Sequence, residues 1–351
     1  MPISAADAIG PAFEHMRDQL FRPFRLGQWT RLAIVGILSG ETAGSGSCRL
    51  PLGNGSTRPS NRFQSSAAND YDTIIQWMSD HLWLVGAIVG ALLLLVLLFM
   101  FVNSVFRFVL YESVVARHCS IRKGWRRWQT EGWQFFLWQL ALMVVGVVGL
   151  VAIVAIPAFA VYRLGWTESA SAHVPALLLT ILTAGLVLFA FIVLVAVARV
   201  LANDFVVPFM ALEHVGVIDG WRHVRQLVLG AKADTALYLL IKVGLSIVAI
   251  IFFFIVLVIV LAVLGLTLGT MGIAAWSAAK AMALTWNAVT VTLAVVGGTV
   301  ALLALIYVIA LVATPLAVLF PAYSIYYLAD RYPKLRSWLD RHGPPAKAFT
   351  T

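Results

Sequence analysis

The chain has 351 residues, 61% of them hydrophobic and only 12% charged, with a formal net charge of +9 and a mean hydropathy of +0.90. A soluble domain is nearer half apolar and a quarter charged, so this inventory excludes a water-facing globule. Asp, Glu, Lys and Arg are all missing from 82–106, 133–162, 169–198, 243–279 and 281–329. Each run exceeds the roughly 20 residues a bilayer-crossing helix needs, and backbone groups in hydrocarbon must bond within their own helix. The predicted fold class is an all-α integral membrane protein.

In chain order, 1–28 comes first. "MPISAADAIGPAFEHMRDQLF" lacks a basic start followed by an apolar core, so it does not read as a cleavable leader. It predicts an interfacial amphipathic helix beginning near Gly10, because Pro11 is tolerated only in a first turn. Ile9, Phe13, Met16, Leu20 and Phe24 form its apolar side; Glu14, Arg17, Asp18 and Arg22 form the other.

A transmembrane domain over 29–330 follows, with six spans predicted near 29–44, 82–107, 135–156, 175–198, 236–264 and 288–314, and a basic cytoplasmic tail over 331–351. On this count 19 of the 25 Lys and Arg fall on one side, with Lys242 inside a span. The positive-inside rule then places both termini in the cytoplasm. The first span is short and carries Arg31, which would snorkel to the interface. A re-entrant hairpin is the alternative, and it would erase the charge asymmetry.

The connections differ in kind. The stretch 45–70 is rich in Gly, Ser and Asn and reads as a mobile outer loop carrying the sequon at Asn54. Cys48 and Cys119 fall on opposite sides, so no disulfide joins them. "AAKAMALTWNA" (278–288) reads as an outer interfacial helix. "TPLAVLFPAYSIYYLAD" (314–330) reads as an exit bent by Pro315 and Pro321. Gly36, Gly40 and Gly44, like Gly86 and Gly90, recur every four residues and would let spans one and two pack closely.

One motif occurs twice. "HCSIRKGWR" (118–126) and "HVGVIDGWR" (214–222) each follow an even-numbered span, after the lead-ins "FRFVLYESVVARH" and "NDFVVPFMALEH". Two spans separate the copies, which predicts parallel helix-pair repeats. The stretch from Thr314 resembles the lead-in without Gly-Trp-Arg, and the N-terminal helix with span one would complete a third unit.

The motif's chemistry suits an interface. Glycine turns the chain, tryptophan sits at headgroup depth and arginine faces phosphate. Arg122, Lys123, Trp125, Arg126, Arg127, Trp221, Arg222 and Arg225 form the candidate elbow for anionic lipid headgroups. The plainer reading is that these charges only fix topology.

Among the acids, Asp204 is the candidate member of a polar pathway, with Arg107 as partner because the two hold nearly equivalent positions in the lead-ins. Lys242 would snorkel or pair with Asp234. His118 and His214 lack further ligands at i+3 or i+4 and read as hydrogen-bonding groups. No catalytic signature is found, so no enzyme activity, metal or cofactor is expected. The basic residues sort by membrane side, so anionic lipids rather than nucleic acid are the expected partners, with a protein partner or a second copy left open.

"PFRLGQWTRLAIVGILSG" (23–40) and "DFVVPFMALEHVGVIDGWRHVRQLVLG" (204–230) resemble a loose group of bacterial membrane proteins. The group includes the membrane domain fused to some glycerophosphodiester phosphodiesterases, and YciC-like and related domains of unknown function. The resemblance implies a multi-pass protein of a bacterial inner membrane. No soluble phosphodiesterase domain is present, so lipid hydrolysis does not carry over. The expected function is non-enzymatic, binding or moving a lipid-like or hydrophobic substrate; the alternative is a scaffold or assembly subunit without a substrate of its own.

Overall fold

The computed structural model describes residues 4–22, 24–41, 81–166, 173–281 and 288–342, and those residues contain helices and no strand. In chain order the helices are α1 (Ile9–Phe21), α2 (Leu26–Leu38), α3 (Leu82–Val115), α4 (Ile121–Arg127), α5 (Gln129–Arg163) and α6 (Val174–Leu201). A π-turn (Ala202–Val206) joins α6 to α7 (Val207–Glu213), and α8 (Val217–Gly230), α9 (Lys232–Ala281), α10 (Ala288–Ala329) and α11 (Pro333–His342) complete the chain. The expected loop 45–70, Cys48, Asn54 and Gly44 lie outside the described residues.

Among the described residues, five helices are long and apolar enough to cross a membrane: Leu82–Val115, Gln129–Arg163, Val174–Glu213, Lys232–Ala274 and Thr290–Ala329. The protein is a multi-pass, membrane-embedded helical protein. The first expected span, near 29–44, begins in α2, whose 13 residues reach about 20 Å, short of the roughly 30 Å hydrocarbon core, and runs on into residues outside the described set.

Burial in these helices is confined to one end. In α3 it starts at Ser104; in α5 only Gly132, Phe135 and Phe136 are buried; α6 buries nothing. The part of α3 without buried residues, Leu82–Asn103, is about 33 Å long, enough to span the hydrocarbon core. The helices therefore stand on a packed base built from α1, α2, α7, α8, α11, the π-turn and the ends of α3, α5, α9 and α10, with α4 packed against it. The helices α1, α4, α8 and α11, which lie in basic stretches of the chain, all pack into this base.

Contacts outside the base are sparse but specific. Phe191 of α6 lies over Gly149 of α5, where a β-carbon would come within 2.3 Å of its ring. Just past α2, Gly40 (φ +74°) faces Asn103 of α3, and α2 and α3 do pack. They do so without the Gly86 and Gly90 stripe, which has nothing within 4 Å.

The predicted outer helix over 278–288 is not separate where it is described, and residues 282–287 lie outside the described set. Residues 278–281 continue α9, a helix of 50 residues and about 75 Å, rather than starting a separate outer helix. The expected exit segment is the last part of α10, which runs on without a break through Pro315 and Pro321. Pro315 has no N–H for the Leu311 carbonyl four residues back. The Trp29 indole of α2 donates to that oxygen at 3.1 Å, so a neighbouring helix supplies the missing bond.

The N-terminal helix is turned from its expected orientation. Ala5, Ala8, Ala12, Met16 and Leu20 are buried together with His15 and Gln19, whereas Phe13 and Phe24 are exposed. The cause lies in α3, whose last carbonyls have no intrahelical donor. His15 Nε2 donates to Val114 O at 2.9 Å, and Gln19 Nε2 donates to Ser113 O at 3.0 Å. At 2.8 Å, Gln28 Nε2 caps Arg117 O.

These partners fix the His15 tautomer. Val114 O only accepts, so Nε2 carries the proton; Nδ1 then accepts from Arg117 Nη2 and from Tyr326 Oη, each at 3.2 Å. Burial, and next the Arg117 charge, lower its pKa from 6.5 to about 4. With the folded value below the unfolded one, the unfolded chain binds the extra proton between these values. The stability from a neutral His15 is whole above pH 6.5 and is lost as pH falls toward 4, by about 3 kcal/mol. Thermal unfolding of the detergent-solubilised protein from pH 7 to 4 should show that loss beyond what a His15→Asn variant shows. Equal pH slopes for the two proteins would rule it out.

Candidate functional site: a charged cleft and two basic elbows

The charged cleft lies where α2, α3, the π-turn and α10 converge. Pro208 has no N–H to offer Asp204 O four residues back, and the Val207 N–H bonds Ala202 O five back, so α6 widens into a π-turn here. The widening turns Asp204 into the protein. Its Oδ2 accepts from Tyr238 Oη at 2.9 Å and from Lys242 Nζ in a short, buried ion pair. Tyr238 and Lys242 are one turn apart on α9 and share the face that meets Asp204.

Arg107, also in the cleft, does not pair with Asp204 as expected. Its Nη2 donates to Ser39 O at 3.1 Å, and its Nη1 lies 3.7 Å from Glu41 Oε1. Lys242 likewise neither snorkels nor meets Asp234, which pairs with Arg331 at 3.2 Å. Glu41, Tyr238 and Lys242 are thus the members that sequence reasoning missed. The four-residue spacing of Tyr238 and Lys242 was the available signal.

The cleft is lined by Arg107, Glu41, Asp204, Asn203, Ser324 and apolar neighbours. Its cavity of ≈ 20 Å³ holds about one water molecule, so no lipid tail enters beside Asp204.

The elbows lie elsewhere on the base. A β-carbon on Gly124 would stand 3.0 Å from Val109, and one on Gly220 would stand 2.9 Å from Val206. Each motif glycine thus lets a short helix press against the helix before it. Trp125 packs on Phe101 and Phe106, and Trp221 on Trp138.

The two motif histidines are not structural equivalents. The left-handed residue that ends each lead-in helix is Arg117 (φ 53°) in the first copy and His214 (φ 51°) in the second. Two residues then precede the extended Ser120 cap of α4, against one before the Gly216 cap of α8. His118 is exposed, while His214 bonds Glu131 at 2.9 Å and stacks on Trp128.

Arg122, Lys123, Arg126, Arg127, Arg222 and Arg225 are all exposed. Arg127 pairs with Glu112 at 3.0 Å and Arg222 with Asp219 at 2.8 Å. Arg122, Lys123, Arg126 and Arg225 make no ion pair among the described residues.

Residues 3–338 match DUF7544, a family of unknown function. The chain belongs to this family. No curated protein and no solved structure matches it. The DUF7544 match covers both the cleft and the elbows. Among the described residues, no group of three or more His, Cys, Asp or Glu is placed to hold a metal ion. Cys119 is buried and free, and burial raises its thiol pKa, which disfavours the reactive thiolate.

Proposed function

We propose that the protein is a non-enzymatic membrane protein that binds an anionic, lipid-like ligand at the elbow of its base. The observation that carries this reading is α4. Gly124 seats it on α3 and Trp125 sits among phenylalanines, while the exposed Arg122, Lys123 and Arg126 make no ion pair among the described residues. Exposed cations beside an apolar span suit a phosphate-bearing headgroup, each contributing roughly 1 kcal/mol near an anionic surface. The water-sized cleft at Asp204 supports a surface-bound ligand over one carried through the bundle.

In this reading the basic end faces the cytoplasm of a bacterial inner membrane, with both termini on that side. The chain resemblance over 23–40 and 204–230 supports this placement, as does the clustering of basic segments. The alike seating of Gly124 and Gly220 supports parallel helix pairs as the building unit. A sixth crossing would begin with α2 and run into residues outside the described set.

Native mass spectrometry of the purified protein tests the reading. Phosphatidylglycerol should be retained by the wild type, and Arg122→Glu/Lys123→Glu/Arg126→Glu should weaken it about 100-fold, from three lost contacts of roughly 1 kcal/mol each. The rival is a scaffold or assembly subunit, favoured by the wholly unburied α6. Equal lipid retention by the triple variant, together with a stoichiometric crosslinked partner, would decide for the scaffold.

A further inference from the structure

Arg107 is served incompletely by the protein around it. Nη2 has Ser39 O, but Nε and Nη1 are buried without a hydrogen-bond acceptor among the described residues. A guanidinium carries five N–H donors and is always charged, so buried, unsatisfied donors draw an acceptor, and a charged acceptor binds more strongly than a neutral one. The cleft beside it has space for a single water-sized particle, and the Asn203 amide lines the same space.

The charges point the same way. Arg107 and Lys242 are balanced by Glu41 and Asp204, and Arg199 lies within Coulombic reach of Arg107. Among the described residues these three cations, of which Arg199 is exposed, outnumber the two carboxylates by one. A cation in the cleft would face the guanidinium and add to that excess; a monovalent anion would cancel it. Asp204 is already engaged by Lys242 and Tyr238. Among the described residues, Glu41, 3.7 Å from Arg107, is the carboxylate an arriving anion would have to displace.

We infer that this cleft is a small-anion site, taking one halide ion or one anionic oxygen of a phosphate on the Nε–H and Nη1–H of Arg107. It is separate from the exposed elbow, and either reading can fail alone. The oxygen could belong to free phosphate or to a lipid phosphodiester lying against α3, and the chemistry at Arg107 is the same for both.

The test uses the full chain in uncharged detergent at fixed ionic strength. Sodium gluconate is replaced stepwise by chloride, bromide or inorganic phosphate, or phosphatidylglycerol is added to the micelle, and the unfolding midpoint is read. The site predicts a saturable rise of several degrees with at least one of these anions. The rise should vanish in Arg107→Gln, and Glu41→Gln, which keeps the guanidinium, should lower the half-saturating concentration several-fold. Halide response identifies a free ion; phosphate or phosphatidylglycerol response without halide identifies the oxygen and its source. A midpoint indifferent to all four, a rise retained in Arg107→Gln, or a rise that follows sodium replacement by choline and disappears in Glu41→Gln would overturn the proposal.

Discussion

Replacing Lys242 with alanine is expected to destabilise the purified protein by about 3–5 kcal/mol, because it leaves a buried carboxylate with one donor. Asp204 is 6% exposed and Lys242 is 7% exposed. Of the two groups on Oδ2, only Tyr238 would remain. The carboxylate is buried in the packed base, where one cleft water replaces little of the lost ion pair, so the loss falls on the folded state. The companion prediction separates charge from packing: Asp204→Leu with Lys242→Met removes both charges and fills similar volume. Replacing a buried pair by apolar groups is often neutral or stabilising, so the double variant should recover most of the loss, less about 1 kcal/mol for the unpaired Tyr238 hydroxyl. Equilibrium unfolding in mixed micelles measures all four corners of the cycle. Additive single and double effects would show that the two residues do not act as a pair.

This pair also marks how far the sequence is legible. The long spans were readable because twenty uncharged apolar residues are a local property of the chain. Gly124 and Gly220 were expected to turn the chain, but both lie inside helices, α4 and α8, where the missing β-carbon lets each helix press on the one before it. Asp204 and Lys242 lie 38 residues apart on different helices, and periodicity within one helix cannot pair them. Equivalence of the lead-ins favoured Arg107 as partner, and proximity in sequence favoured Asp234. Both arguments missed the π-turn that re-aims the carboxylate. The face of α1 was misread for a related reason: apolarity favours Phe13, but the free carbonyls of α3 recruit His15 and Gln19. A backbone group's need for a donor is invisible until two helices are placed together.

Trp128→Ala should be the second severe change, costing about 3–5 kcal/mol, the range for emptying a buried large aromatic site. Trp128 follows the Gly-Trp-Arg motif and was not singled out by its spacing, yet it is 1% exposed. Its ring stacks between Phe108, at 5.7 Å, and His214, at 5.4 Å. Its Nε1 donates to Glu112 Oε2 at 2.6 Å, and the Arg127 guanidinium lies 5.2 Å from the ring centre. One indole therefore touches the end of α3, the left-handed residue after α7 and the corner between α4 and α5. Trp128→Phe keeps a ring between its two neighbours and gives up the indole bond to a carboxylate, so a smaller loss of about 1.5–3 kcal/mol is expected. Four residues after each motif glycine, the second elbow has Val224 where the first has Trp128, and Val224 is also 1% exposed. Val224→Ala removes only two methyl groups and should cost about 2 kcal/mol. Unfolding free energies ranked Trp128→Ala, then Val224→Ala and Trp128→Phe, would place the indole as the wedge that holds the first elbow to its span. Equal losses for the two alanine variants would instead make the elbows interchangeable props and leave the Glu112 bond without energetic weight.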